Sequence, residues 1–388
     1  MNNSTYPDVA ALRSMFPVTR RYAYLDHAAI APLSNPVRAA METYVDHRAS
    51  WQASDRYEHL ADDLREALAL LVNATPQDIA FVQNTSEGIN IIANALPLRP
   101  GDNVVFCDME FPANVYPWMN LGRRGIEARC IPHDGGGLTV QALDAHADER
   151  SRVVAVSSVE FLTGFRSDLA ALGAWCRERG SYFVVDGIQS LGVLPIDVQA
   201  YQIDFLSCGG PKWLMGPAGQ GFIYVRRELL EDLQPPFAGC VSVAGWEEWR
   251  DYSLTFLPDA SRFELGCGNS VGQVGLLAAV RLLLNVGIEP IERWTLHLTE
   301  LLIQDLERRG YEIASNRAPE RRSAIVSFRV LGEVHKAYEQ LTAADVVISK
   351  REDLIRVSPH CYNTENEILR VGETLGDGSL HTIRQGRK

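Results

Sequence analysis

From about residue 75 to 225, short apolar, β-rich runs alternate with longer helix-like stretches, and this alternation constrains the fold more than any other feature of the chain. The runs are Asp78–Val82, Asn103–Cys107, Glu127–Ile131, Arg152–Ser157, Tyr182–Val185, Ile203–Ser207 and Gly221–Val225. Most are continuously apolar, as expected of strands buried on both faces. The pattern predicts an α/β fold: a seven-stranded, mainly parallel sheet with helices on both faces.

Downstream of "FELGCGN" the texture changes. Val271–Asn285 and Ile288–Arg309 read as amphipathic helices, followed by β-rich "SAIVSFRV" and "LIRVS" and a helical "NTENEILRVGETL". A chain of 388 residues exceeds what one compact core usually organises, so a second, smaller C-terminal α+β domain is expected. The expected division is an N-terminal segment 1–20 packing near the small domain, a large domain 21–275 and a small domain 276–388. The helix-like "PVRAAMETYVDHRASW" is expected near the small domain, and the basic tail "RQGRK" reads as a frayed terminus.

A formal net charge of −12 argues against nucleic acid or an anionic membrane as the main partner, while leaving room for a local basic pocket that holds a small anion. No apolar run approaches the length of a membrane span, and the first residues lack a secretion signal. The seven cysteines are scattered without metal-ligand spacing, so no metal and a reduced, cytoplasmic setting are expected.

In an open α/β sheet, ligands bind outside the carboxyl ends of the strands. After Val82 comes "QNTSEGIN", where Thr85, Ser86 and Gly88 stand at a helix start suited to a phosphate. Taken alone, this is an ordinary N-cap with Glu87 in the first turn. After Val185 comes "DGIQSLG", with Asp186 ending a buried strand and needing a partner there. One strand further on, Lys212 occupies the glycine- and proline-rich bend "CGGPKWLMGPAGQG" at the same sheet edge. Pyridoxal phosphate requires this combination: it has a phosphate, a ring nitrogen that must stay protonated, and an aldehyde that forms a Schiff base with lysine.

With "YLDHAAIAPLS", "FVQNTSEGIN", "MEFPANVYPW", "VVDGIQSLGVLPIDV", "DFLSCGGPKWLMGPAGQGFIYV", "RFELGCGN" and "IRVSPHCYNTENEI", the chain resembles the class V aminotransferases. These are proteins of the pyridoxal-phosphate (PLP)-dependent transferase fold type I that include cysteine desulfurases and isopenicillin N epimerase-like enzymes. The resemblance implies Thr85 and Ser86 at the phosphate, Asp186 at the ring nitrogen, Gln189 near the ring hydroxyl and Lys212 as the lysine that holds and deprotonates. It implies Arg356 as the grip on a substrate carboxylate. His27, Ala28 and His360 are candidates for the substrate entrance, with histidines satisfied by backbone carbonyls as the alternative reading of the same residues. A homodimer with sites near the interface is also implied.

The chain departs from the family pattern at several points. Gly209 and Pro211 stand where relatives carry serine and histidine, so backbone contacts or Ser207 would serve the phosphate. Phe111 stands where desulfurase-like relatives stack a histidine on the ring. Cys267 replaces a threonine that reaches the partner's phosphate, with Gly268 or Asn269 as substitutes. "TAADVVISKREDLIR", which leads to Arg356, has no cysteine, and this disfavours desulfuration through an enzyme thiol. The leading expectation is a PLP-dependent enzyme acting at the Cα of an amino acid, nominally an aminotransferase. A carbon–sulfur lyase and an epimerase are the enzymatic alternatives, and a catalytically silent binding module is the alternative of another class.

Overall fold

The computed structural model describes residues 5–51, 55–245, 247–248, 250, 252–330 and 334–378. The tail "RQGRK" lies outside the described residues. Its largest sheet has seven strands in the spatial order Ile79–Val82, Gly221–Val225, Phe205–Gly209, Tyr182–Asp186, Ser151–Ser157, Asn103–Cys107 and Glu127–Ile131. The last five run parallel to their neighbours in this order, whereas Gly221–Val225 is antiparallel to the strands on both sides.

The continuous apolar runs are explained by two cores, one on each face. Val105, Val154, Val156, Phe183 and Val185 feed one core with Leu64, Leu68, Leu172 and Trp175 from the covering helices. Their chain neighbours Val104, Val153, Ala155 and Val184 feed the other, with Ile89, Ile92 and Trp118. Because successive side chains point to opposite faces, a strand covered on both sides has no polar position to spare.

Most strand ends match the sequence reading, and two differences matter. The strand from Tyr182 runs on to Asp186, which pairs with Ser157 on one side and Ser207 on the other. The aspartate is therefore part of the sheet, not of the following turn. The next strand begins at Phe205 instead of Ile203, because the Ile203 N–H turns back onto the Val198 carbonyl and the Asp204 carboxylate accepts from Phe183 N–H.

A separate antiparallel sheet has the order Ser349–Arg351, Leu354–Val357, Val326–Arg329 and Glu312–Ile313. The two edge strands escaped the sequence reading because they are short and polar, as edge strands commonly are. Leu298, Leu302, Phe328, Ile355 and Ile368 form its core, with helices Ile288–Arg308 and Glu365–Leu375 packed on it. Ala23–Tyr24 pair in parallel with Val346–Val347, so this part of the chain joins the smaller group of strands in space. The N-terminal helix Val9–Ser14 is tied to the same region by an Arg13–Glu367 ion pair of 2.8 Å. Helix Asn35–Ala49 packs on Ser270–Val286. Among the described residues, no single helix is long and apolar enough to cross a membrane. All seven thiols are free.

Candidate active site

The carboxyl ends of the parallel strands bring the two central residues of the sequence reading to one edge. Asp186 is buried, and its Oδ1 accepts from the Ile188 N–H at 2.9 Å. Burial raises its pKa to about 6, against the pull of that N–H and of the Lys212 charge. Burial lowers Lys212 to about 8, with Asp186 pulling it back up and Arg356 pushing it further down. A lysine in this range supplies a free amine near neutral pH, which a solvated lysine does not.

The bend that carries Lys212 is closed by hydrogen bonds at every carbonyl from Gly210 to Trp213. The Gly210 carbonyl accepts from Gly216 N–H at 2.9 Å, Pro211 from Ala31 N–H at 2.7 Å and Lys212 from Met215 N–H at 3.0 Å. The Trp213 carbonyl is 3.0 Å from His360 Nε2. Trp213 is itself fully buried, and its indole N–H donates to Gln189 Oε1 at 2.8 Å. The Gln189 amide in turn donates to the Ala28 carbonyl at 3.1 Å. Gln189 thus braces the lysine loop and keeps one amide hydrogen for another acceptor.

At the other end of the edge, helix Thr85–Ala95 starts with Asn84 as its cap, accepting from Glu87 N–H at 3.0 Å. Glu87 reaches back to the Gln83 N–H at 2.5 Å. Ser86 is exposed at this start, while the buried Thr85 hydroxyl accepts from Gly209 N–H at 3.0 Å. Ser207 is fully buried beneath the helix and donates to the Thr85 carbonyl at 3.1 Å, so its hydroxyl secures the helix from below. A Cβ at Gly88 would lie 2.2 Å from Ser207 Oγ, and glycine is what lets the helix sit this close to the sheet.

Phe111 is 43% exposed, packs edge-on against Phe161 at 5.1 Å, and has the Lys212 Nζ 5.7 Å from its ring centroid. Its neighbour Glu110 is buried and accepts from the Ser157 N–H and hydroxyl, both at 2.6 Å. Burial pushes Glu110 up to about 7 and Glu160, which the Cys107 thiol contacts at 3.6 Å, well above the carboxylate range. Burial thus favours the protonated form of Glu160.

Arg356 is buried on Leu354–Val357 and donates to the Phe161 carbonyl at 2.7 Å and to Ser349 Oγ at 3.2 Å. Asp26 lies 3.6 Å away, and its own carboxylate accepts from Ser349. Burial lowers Arg356 to about 10 and raises Asp26. The Arg356 Nε is buried with no partner among the described residues, which leaves it an open donor.

Other sequence candidates are engaged inside the protein or line a separate cavity. His27 is fully buried, with Nδ1 at 3.1 Å from the Ser358 carbonyl and Nε2 at 2.9 Å from the Tyr362 hydroxyl. The Ala28 N–H donates to Ser358 Oγ at 3.0 Å, so both of its backbone groups are engaged. Cys267 and Gly268 line a cavity of about 960 Å³ with Gln83, Glu87 and Phe237, whose lining includes neither Asp186 nor Lys212. Sequence reasoning missed Trp213, Asp26 and Ser349, although "PKWL" and "YLDHAA" were both singled out; only the contacts give these residues a role.

The family model of the class V aminotransferases matches residues 23–371. The chain belongs to the class V aminotransferase family. A probable cysteine desulfurase of Methanothermobacter thermautotrophicus is 30% identical, over 94% of this chain and 96% of that protein. A cysteine desulfurase of Salmonella gallinarum is 32% identical over 86% of this chain and 85% of its own length. Among solved structures, the apo cysteine desulfurase of Thermococcus onnurineus NA1 superposes with a TM-score of 0.87 at 27% identity, covering 97% of this chain and 99% of that one. The cystine C–S lyase C-DES, in complex with its reaction product cysteine persulfide, gives 0.85 at 25% identity, covering 92% and 98%.

As a class V enzyme the protein is PLP-dependent, and its residues fit that cofactor. A buried strand-end carboxylate, an amine of lowered pKa, a helix start with an exposed hydroxyl and a half-exposed aromatic face together make the required donor set.

Proposed function

We propose that this class V enzyme is a carbon–sulfur lyase, eliminating at Cβ of a sulfur-bearing amino acid and releasing the sulfur in a small-molecule leaving group. The observation that carries this reading is a substrate wall without a reactive thiol. No cysteine occurs between Cys267 and Cys361, which includes the whole approach to Arg356. Cys361 itself is fully buried, and burial pushes its thiol up to about 12. Relatives named for carbon–sulfur chemistry support the reaction class over the nominal aminotransferase.

In this reading Thr85 and Ser86 would hold the phosphate, Phe111 would offer an aromatic face to the ring, and Asp186 would keep the ring nitrogen protonated. PLP supplies an electron sink for charge developing at Cα. Arg356 binds the α-carboxylate through its guanidinium and fixes its orientation. The Lys212 amine takes the Cα proton. The electron pair left behind forms the Cα–Cβ double bond as the Cβ–S bond breaks and the thiolate departs. The remaining enamine hydrolyses to a keto acid and ammonia. The exposed Phe237 and Leu265 beside the Cys267 cavity support a homodimer as part of the same proposal.

Product analysis with L-cystine and L-cysteine tests the reading. Equal amounts of pyruvate, ammonia and a sulfur product support it. Alanine with sulfur retained on the protein would point to desulfuration, and a keto acid formed without ammonia to transamination.

A further inference from the structure

Of the four carbonyls that fix the lysine bend, three are held by backbone N–H groups and only that of Trp213 by a side chain. That side chain, His360, comes from the segment that directly follows the strand bearing Arg356. Its protonation is set by its contacts. Nδ1 accepts from the Cys361 N–H at 2.7 Å, which leaves the proton on Nε2, aimed at the Trp213 oxygen 3.0 Å away. Burial lowers His360 to about 4, so it is neutral and holds this tautomer across the working range.

The segment is anchored on either side of His360. Ser358 accepts from His27 N–H at 3.2 Å and donates to the Leu25 carbonyl, and Asn363 receives the His360 N–H at 2.8 Å. On the other side of the contact, the Trp213 oxygen lies close against Gly192, where only a glycine leaves room for it. A Cβ at Gly192 would come within 2.2 Å of it, and Gly192 has a φ of +104°. The chain from Arg356 to Lys212 is thus short and tightly packed: strand end, His360, Trp213 carbonyl, lysine.

We propose that His360 is a positioning residue for Lys212, its Nε2–H bond to the Trp213 carbonyl setting where the amine stands relative to the carboxylate grip at Arg356. The proposal rests on Lys212 as the attachment residue for the cofactor and is independent of which reaction follows. In chemical terms it fixes the spacing between the group that holds a substrate's carboxylate and the group that takes its Cα proton. A misplacement of about 1 Å in such a spacing costs on the order of 10²-fold in rate.

The test uses the whole chain, loaded with PLP for the spectra and glycine binding and freed of PLP for the attachment rate. His360→Phe keeps a ring of similar bulk and removes the donor, whereas His360→Gln keeps an N–H at comparable reach. The readouts are the pH midpoint of the visible absorption band, the rate at which added PLP becomes fixable by borohydride on the Lys212 peptide, and the affinity for glycine, which presents only an amine and a carboxylate. Only four lysines occur in the chain, so the modified peptide is unambiguous.

His360→Phe is expected to move the midpoint by about one pH unit, slow attachment roughly 10-fold and weaken glycine binding, and His360→Gln to stay within about 3-fold of wild type. A His360→Phe protein with the wild-type melting temperature, midpoint and attachment rate overturns the proposal, as does a Gln variant no better than Phe. Nitrogen-15 spectra of labelled histidines in the wild-type protein decide the matter even where a variant fails to fold. A proton on His360 Nε2 between pH 6 and 9 is expected, and one on Nδ1 refutes the bond. Wild-type cofactor fixed on another lysine would overturn the Lys212 assignment as well, which separates the two failures.

Discussion

Two acid–base pairs, each with one fully buried member, flank the site, and they behave differently. Asp186 and Lys212 stand on the large sheet, coupled through charge, with burial driving the acid up to about 6 and the amine down to about 8. Asp26 and Arg356 stand at the smaller sheet, 3.6 Å apart with Ser349 hydrogen-bonded to both. The first pair can change protonation near neutral pH. The second cannot, because a guanidinium keeps its proton even when burial lowers it to about 10. Desolvation thus leaves a group able to exchange a proton in one place and a permanent charge in the other, and the difference lies in the chemistry of the base.

The largest effect that sharpens this comparison is expected at Lys212. Lys212→Arg, which preserves charge but cannot offer a free amine, should lower turnover by about 10⁴-fold or more, as completely as Lys212→Ala. Steady-state rates check this, and an active Arg variant would break the contrast outright. Asp186→Asn should lower kcat by on the order of 10²–10⁴-fold with a smaller change in KM, read from the same kinetics.

Arg356→Lys should act in the opposite sense, raising KM for carboxylate substrates roughly 10- to 100-fold with less effect on kcat, since a point charge cannot reproduce a bidentate grip. Arg356→Ala should add a stability loss of about 1–3 kcal/mol by leaving the partly buried Asp26 with Ser349 but no cation, visible in denaturant unfolding. If both pairs were merely structural, all five variants would destabilise alike.

The pH dependence is the subtler test. Below about 8 the Lys212 amine is protonated and unreactive, so the rate of cofactor attachment should rise as pH climbs through that value and level off above it. A rise centred near the ordinary lysine value of 10.5 would mean that burial does not act on this amine. The smallest effect belongs to Ser86→Ala at the exposed helix start, where the loss of one hydroxyl should weaken cofactor binding by about 1 kcal/mol, measurable by titration.

The sheet was legible because a strand covered on both faces must be apolar at every position, as Val153–Val156 and Phe183–Val185 are. Asp186 and Lys212 were legible for the complementary reason: a charged residue at the end of such a strand, or inside a tight glycine-rich bend, is out of place unless something needs it. His27, Ser207 and Gln189 show where this logic stops. Each is polar and stands within a recognisable motif, yet the hydroxyl of Ser207 and both ring nitrogens of His27 are taken up inside the protein. Gln189 divides its amide between Trp213 and Ala28. A sequence lists donors and acceptors without saying which are already matched.

By itself, then, the sequence determined the layered α/β architecture, the family and the residues able to carry the chemistry, because hydrophobic periodicity and unusual charge placement are local properties of the chain. The tertiary structure alone decided which of those groups are spent and which are free, how far Asp186 and Lys212 are shifted, and that His360 meets the lysine loop. These depend on burial and on contacts between residues more than a hundred positions apart, such as His360 and Trp213. Desolvation and hydrogen-bond matching act through space, and no local pattern records them.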